Sequence, residues 1–350
     1  MKLKQIKIDL IFLEIILLFT FFSLLVIYSS TMIEGPIYFK KHLLRVLIGI
    51  GALILGILIP YEFWSGKRAK ILYIFSTIIL FLTVLFSKTI RQFSLFSLKF
   101  QPQEFCKIFL LFFVAEFLSR IREKKELGKF HLEIFLIILI ISLILVQPAI
   151  GTTIILFLTV LIMFLFSGIR FSVILVYSLV VFLLVFLGIN TFPHAKRRFE
   201  KFREREIYQQ YHSRIAIGSG GLLGKGLGCG KQKFKFIPKI HTDFIFAGMA
   251  EELGFFTILL LLLGYYFVLM RGITIAQNAN SDFGRFFAIG FTFMLSFYIF
   301  IHIFSSLALI PVTGQPLPFI SYGGSALISN LFAIGVMLNI SRERKVPYEI

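Results

Sequence analysis

The residues best suited to acid–base chemistry lie in the segment His241-Thr242-Asp243-Phe244. Asp243 stands at the edge of a long apolar run, beside Phe244 and Ile245. Desolvation at such an edge favours a carboxylate that accepts a proton, as a general base must. An Asp that precedes a helix can equally serve only as its N-cap. The residues alone therefore leave Asp243 with two interpretations, a catalytic base and a helix cap.

Further ionisable residues stand near apolar runs. Glu104 and Lys107 are three residues apart in a predicted helix, so they share one face and can pair. Ionisable groups in apolar helices usually face a bundle interior or a cavity, so a site and a plain structural pair both fit. Glu251 and Glu252 follow Asp243 by two turns, where they could simply favour the positive start of a helix.

Several other motifs carry little chemistry by themselves. The glycine-rich segment 218–228 matches neither a Walker loop nor a dinucleotide fingerprint, so flexibility is its simplest interpretation. Ser321 lacks the Gly-x-Ser-x-Gly elbow of a serine hydrolase. His302, inside an apolar run, is typical of a packed core histidine. Cys106 and Cys229 show no metal-binding spacing.

The composition places these residues in a membrane protein. Of the 350 residues, 58% are hydrophobic and 15% are charged, whereas soluble domains carry about a quarter charged residues. Residues 134–169 and 286–341 contain no Asp, Glu, Lys or Arg, and about 20 apolar residues span a bilayer as a helix. The net charge of +18 is not accompanied by a soluble basic domain, so nucleic acid is excluded as a partner.

The elements that must position the site are membrane helices. The sequence predicts one all-α, polytopic domain over residues 1–350, with a long extracytoplasmic loop at 191–247 between spans 7 and 8. The ten predicted spans are 9–28, 43–62, 70–87, 104–121, 132–147, 150–168, 171–190, 248–270, 286–310 and 323–341.

Orientation follows from the Lys and Arg of the short connections, which concentrate on the cytoplasmic side. With both termini cytoplasmic, the short outer segments hold only six: Lys40, Lys41, Arg45, Lys88, Arg91 and Lys99. The outer loop 191–247 carries twelve more, but loops of this length translocate largely regardless of charge. Its cations are either simply solvated or form a surface for an anionic substrate, since Lys and Arg bind phosphate.

One segment, Pro311 to Ser325, closely resembles the signature loop of the SEDS (shape, elongation, division, sporulation) family. The resemblance extends over nearly the whole chain and includes the ten-span layout with its outer loop. The other matching motifs are Gly218-Ser219-Gly220-Gly221, His241-Thr242-Asp243-Phe244, Glu251-Glu252-Leu253-Gly254, and Arg91 with Gln101-Pro102-x-Glu104-Phe105-x-Lys107.

The resemblance implies a peptidoglycan glycosyltransferase that polymerises lipid II on the outer face of the cytoplasmic membrane. The division septum is one location that it implies for the protein. It implies work beside a class B penicillin-binding transpeptidase and other divisome or elongasome membrane proteins. Asp243 is then the essential acid. The substrate-binding set it implies is Arg91, Glu104, Lys107, His241, Thr242, Glu251, Ser321, Gly323 and Gly324. A divalent cation could assist the pyrophosphate, although no ligand cluster in the sequence requires a metal or another cofactor.

The chain departs from the family pattern at three positions. Ala149 stands where the family usually has Asp, Gln92 replaces a Trp, and Lys239 replaces a Glu. The segments 226–233 and 313–315 favour an FtsW-like role in division, whereas 215–221 also suits a RodA-like role in elongation and cell shape. A flippase that moves lipid II is the alternative of another class; it would need a polar path at the midplane, which the sequence does not show.

Overall fold

The computed structural model describes residues 8–32, 35–86, 93–95, 98–123, 130–147, 149–204, 208–238 and 240–342. In these ranges the chain forms fourteen α-helices, a short 3-10 helix (Tyr61–Trp64) and one antiparallel hairpin. The helices are α1 (Leu10–Ser30), α2 (Pro36–Leu58), α3 (Gly66–Phe86), α4 (Gln103–Arg122), α5 (Phe130–Val146), α6 (Ile150–Ser167), α7 (Phe171–Thr191), α8 (Pro193–Arg203), α9 (Tyr208–Ser219), α10 (Gln232–Lys235), α11 (Ile240–Asp243), α12 (Ile245–Gln277), α13 (Asp282–Ser306) and α14 (Gly324–Arg342). The hairpin, which the sequence did not predict, pairs β1 (Phe93–Leu95) with β2 (Leu98–Phe100).

Membrane-spanning character is widespread among these helices. Eight of those in the described ranges are long and apolar enough to cross a bilayer, namely α1, α2, α3, α6, α7, α12, α13 and α14. The apolar α5 is shorter, at 17 residues, and α4 carries several charges along its 20 residues. The predicted class, a helical polytopic membrane protein, is confirmed. Each of the ten predicted spans falls on one long helix.

The boundaries of α2 differ most from the predicted span 43–62. The helix begins at Pro36, because Gly35 adopts a positive φ of 90° and proline is favoured in a first helical turn. It ends at Leu58, shortly before Pro60, which cannot continue a helix. The polar start of α2 therefore extends beyond the apolar segment that hydropathy selects.

The loop 191–247 is more ordered than the sequence suggested. Four helices, α8 to α11, lie within it. The glycine-rich segment is docked on α12: a Cβ at Gly220 would overlap Ala250 O, and one at Gly224 would overlap Glu252 O. Gly254 interrupts α12 with φ 75°, and the next residue, Phe255, donates its N–H to Gly221 O at 2.9 Å. The interpretation of this segment as simply flexible is wrong.

Helices α2 and α14 form the closest contact between spans, running parallel to each other. Glycines permit it: a Cβ at Gly56 would lie 2.9 Å from Gly335 Cα, and one at Gly49 would lie 2.6 Å from Leu331 Cδ1. Small residues allow backbones to approach closely where both helices are embedded in lipid. Helix α14 is almost entirely buried, which makes it a central element of the bundle.

Polar contacts of Asp9 join three helices at one end of the bundle. At one end Asp9 caps α1 by accepting the N–H of Phe12, and its Oδ1 also accepts from Arg271 Nη2 at 2.8 Å. The backbone N–H of Asp9 donates to Ser341 Oγ at 3.2 Å, so α1, α12 and α14 meet there. The opposite end, at which α2, α4, α12 and α14 begin, is called the site end below.

The glycine contact gives a first prediction. Replacing Gly56 with Ala should push α2 away from α14 and lower the thermal stability, since overpacking typically costs about 1–3 kcal/mol. Gly51→Ala is the matched control, because Gly51 is exposed on the same helix and its added Cβ meets open space. The melting temperatures of the detergent-purified variants measure the effect. Equal melting temperatures for the two variants would contradict the close packing.

Candidate active site

Asp243 ends the short helix α11, directly before α12. The N-cap residue of α12 is Phe244, so the structure does not use Asp243 as the cap of the long helix. The carboxylate is half-buried, whereas the adjoining Phe244 and Ile245 are fully buried. Asp243 thus lies at the edge of a buried apolar segment, the position that the sequence predicted for it.

The signature loop, which connects α13 to α14, is joined to α11 by hydrogen bonds. Ser321 Oγ donates to Thr242 O at 2.9 Å and accepts the N–H of Leu317 at 2.9 Å. The N–H of Tyr322 donates to His241 O, also at 2.9 Å. Ser321 and Thr242, predicted to bind substrate, therefore use these groups to join the signature loop to α11.

The same loop lies against the carboxylate of Asp243. Gly314 has a positive φ of 69°, and a Cβ built on it would lie 3.9 Å from Asp243 Oδ2. A side chain at position 314 would strain the backbone because of this positive φ, and its Cβ would lie in ordinary contact with the carboxylate. The following residue, Gln315, accepts from Thr152 Oγ1 at 3.4 Å, so the loop also contacts the start of α6.

Aromatic rings surround the buried His241. Its ring centroid is 5.3 Å from those of Tyr38 and Tyr322, one ring from α2 and the other from the signature loop. The guanidinium of Arg45 lies over the Tyr322 ring, 4.5 Å from its centroid. Sequence reasoning missed Tyr38, Tyr322 and Arg45 as site residues. The signal in the sequence that could have indicated Arg45 is an arginine within a predicted apolar helix.

Of the two predicted glycines, only Gly324 lies in a close contact that an added Cβ would disturb. Gly324 begins α14, and a Cβ there would lie 2.7 Å from Arg45 Cδ, so only glycine leaves room for that side chain. At Gly323 a Cβ would meet Pro316 and Ala326 at ordinary contact distances of 3.6 and 3.7 Å.

Glu104 and Lys107 form a buried ion pair at the start of α4. Lys107 Nζ is 2.6 Å from Glu104 Oε2, and the side chains are only 1% and 4% exposed. The ammonium also lies 4.4 Å from the ring centroid of Tyr298 on α13. The predicted pairing is therefore present, and it compensates the charge of Lys107. The other cation of this motif, Arg91, lies outside the described residues.

Glu251 and Glu252 hold the glycine-rich segment on α12. The fully buried Glu251 accepts from Lys225 Nζ at 2.7 Å and from the N–H groups of Lys231 and Gln232 at 2.9 and 3.1 Å. Glu252 pairs with Lys233 Nζ at 2.5 Å and accepts from the Ser29 hydroxyl. These loop donors occupy the oxygens of Glu251, which was predicted to bind substrate. Lys233 and Ser29 were missed by sequence reasoning.

The titratable side chains do not assemble a metal centre in the ranges that the structure describes. No group of three or more His, Cys, Asp or Glu residues there is arranged to hold an ion. The cations around the site come instead from Lys and Arg, which suit an anionic ligand.

Comparison with known proteins identifies the architecture. The sequence model of the FtsW/RodA/SpoVE family, described as a cell cycle protein, matches residues 5–346. The chain belongs to this family. The SEDS resemblance that the motifs predicted is confirmed.

Individual members of the FtsW/RodA/SpoVE family match the chain along almost its full length. It is 34% identical to peptidoglycan glycosyltransferase MrdB of Escherichia coli K12, over 98% of this chain and 95% of that protein. It is 30% identical to probable peptidoglycan glycosyltransferase FtsW of Trichlorobacter lovleyi, over 97% of this chain and 94% of that one. A solved chain from a peptidoglycan synthase complex that coordinates polymerization and crosslinking matches with a TM-score of 0.77 at 25% identity, covering 98% of this chain and 99% of that one.

The docked loop gives a second prediction. Glu251→Ala removes the acceptor of Lys225 and of two loop amides, and hydrogen bonds to charged groups contribute about 1.5–3 kcal/mol each. Amide hydrogen exchange in residues 225–232 should therefore accelerate by at least about ten-fold. Lys231→Ala is the control, because only the backbone N–H of that exposed residue contacts Glu251. Unchanged exchange in Glu251→Ala would show that other contacts fix the loop.

Proposed function

We propose that this chain is a peptidoglycan glycosyltransferase that polymerises lipid II into glycan strands at the site end of the bundle. The observation that carries the proposal is Asp243, a half-buried carboxylate beneath the family's signature loop. The full-length similarity to proteins named peptidoglycan glycosyltransferase supports the reaction class.

The reaction joins an acceptor sugar hydroxyl to the anomeric carbon of a lipid-linked donor. The acceptor oxygen forms the new glycosidic bond, the bond from the anomeric carbon to the diphosphate breaks, and the lipid diphosphate leaves with the electron pair. Asp243 takes the proton of the acceptor 4-hydroxyl, as a general base. Cationic groups stabilise the negative charge that develops on the departing diphosphate.

The packing of the site suits a base that must keep its position. The signature loop is fixed to α11 by two hydrogen bonds from Ser321 and Tyr322, and its Gly314 allows the loop to lie directly beside the carboxylate. Both hydrogen bonds end on backbone carbonyl groups of α11, at Thr242 and His241, so they fix the backbone just before Asp243. The next two residues, Phe244 and Ile245, are fully buried, which anchors the chain directly after Asp243.

A role in division is proposed from segments 226–233 and 313–315, with elongation and cell shape as the alternative. Identities of 30% to an FtsW and 34% to MrdB do not separate these roles. The solved peptidoglycan synthase complex supports a partner that crosslinks, which we propose is a class B penicillin-binding transpeptidase. We place the site end on the outer face of the cytoplasmic membrane, both termini inside.

Replacing Asp243 with Asn tests the base. Asn keeps the shape and the helix-end hydrogen bonding but cannot take a proton, and general-base catalysis contributes about 10²–10⁴-fold. Polymerisation of fluorescent lipid II by the purified protein, read as glycan ladders, should fall by that factor. Phe244→Leu, beside it, is the control for local packing. A folded Asp243→Asn protein that polymerises lipid II within a few-fold of the wild-type rate would refute the mechanism. If the wild-type protein moved lipid II across the membrane without forming glycan ladders, the protein would be a flippase.

The natural cysteines test the orientation. Cys229 is exposed in the outer loop, whereas Cys106 is buried in α4. A membrane-impermeant maleimide added to intact spheroplasts should label the wild-type protein and leave Cys229→Ser unlabelled. Lys67→Cys in the Cys229→Ser background should react only after the membrane is opened, since position 67 is exposed at the opposite end. The reverse pattern would place the site in the cytoplasm.

A further inference from the structure

Arg45 is a buried cation that forms no ion pair with the described residues. It lies in the third turn of α2, is only 8% exposed, and its Nη1 atom is buried without a hydrogen-bond partner. Other buried charges in the described ranges, such as Lys107 and Lys233, are paired with carboxylates. An unpaired charge inside a membrane bundle is costly and indicates an anion that binds there.

The position of the guanidinium is defined by two contacts. It lies 4.5 Å from the centroid of the Tyr322 ring, a cation–π contact that compensates only part of the lost hydration. It also passes over Gly324, the first residue of α14, where an added Cβ would lie 3.1 Å from Arg45 Cζ. These two contacts place the guanidinium between the Tyr322 ring and the first residue of α14.

The N-terminus of α14 supplies a second positive feature at the same point. The helix has 19 residues, and its first bonded amide is that of Leu327, which donates to Gly323 O at 2.9 Å. The amides before Leu327 have no acceptor within the helix, and the aligned peptide dipoles place partial positive charge there. Arg45 and this helix end together resemble the anion sites found where helices begin.

We propose that Arg45 and the N-terminus of α14 bind a phosphate group carried by a membrane lipid. A guanidinium offers two parallel N–H donors that match phosphate oxygens, and the helix amides offer more. The prenyl diphosphate of a sugar donor and the headgroup of an anionic phospholipid share this chemistry. Tyr322 contacts both Arg45 and His241, so the bound phosphate would adjoin the segment that carries Asp243.

The inference rests on the proposed function only for the identity of the diphosphate, because the anion site itself follows from Arg45 and α14. It also supplies the cation that the ion pair of Glu104 and Lys107 does not provide, since the charge of Lys107 is already compensated. A diphosphate held at Arg45 would receive the negative charge that develops as the donor bond breaks.

Binding measurements on the full-length protein in neutral detergent test the site. The probes are farnesyl pyrophosphate, a short prenyl diphosphate, and phosphatidylglycerol in mixed micelles. Arg45→Gln should weaken the binding of one probe or both by at least about ten-fold, because charge-assisted hydrogen bonds are lost. Arg68→Gln is the matched control, since Arg68 also lies over a ring, at 4.2 Å from the Phe63 centroid, but is exposed at the opposite end.

The outcomes separate the two sources of phosphate. A loss confined to farnesyl pyrophosphate assigns the site to the donor, and one confined to phosphatidylglycerol assigns it to a phospholipid headgroup. Unchanged affinity for both probes in folded Arg45→Gln overturns the proposal. Arg45→Lys keeps the buried charge if Arg45→Gln does not fold, and it should still weaken binding because the planar fork is lost; equal affinity there also overturns the proposal. Diphosphate binding through Arg45 in a wild type that never polymerises lipid II would refute the proposed function alone.

Discussion

The free-energy cost of burying an unpaired charge in a membrane-embedded bundle constrains how the helices and loops of this protein pack. Most charged groups buried among the described residues meet an opposite charge: Glu104 with Lys107, Glu251 with Lys225, and Asp9 with Arg271. The first pair lies within α4, whereas the other two join elements that are distant in the chain. The pair of Glu251 with Lys225 holds the glycine-rich segment on α12.

Glycine makes the remaining contacts possible. The bundle places backbone against backbone where α2 meets α14, where the loop meets the kink of α12, and where the signature loop covers Asp243. At the first two points an added methyl group would overlap a neighbouring atom, and at the third the positive φ of Gly314 disfavours other residues. Buried charges and close backbone contacts thus occur near each other, and together they hold the glycine-rich segment and the signature loop against the helices.

Much of this arrangement could be predicted from the sequence. The uncharged runs predicted where the long apolar helices lie, and the short motifs predicted the family, because hydropathy and local spacing are carried by neighbouring residues. The contacts of Arg45 with Gly324 and of Ser29 with Glu252 could not be predicted, since they join residues far apart in the chain. Helices α8 to α11 were missed for another reason: short, polar and glycine-interrupted segments carry a weak periodic signal.

The link between Asp9, Arg271 and Ser341 has a consequence for how the chain is assembled. Asp9 precedes α1, yet the groups it bonds belong to α12 and α14 and are translated 262 and 332 residues later. Until then its carboxylate has no partner from these helices. The contacts that hold α1 at this end of the bundle therefore form only after α12 and α14 have been translated.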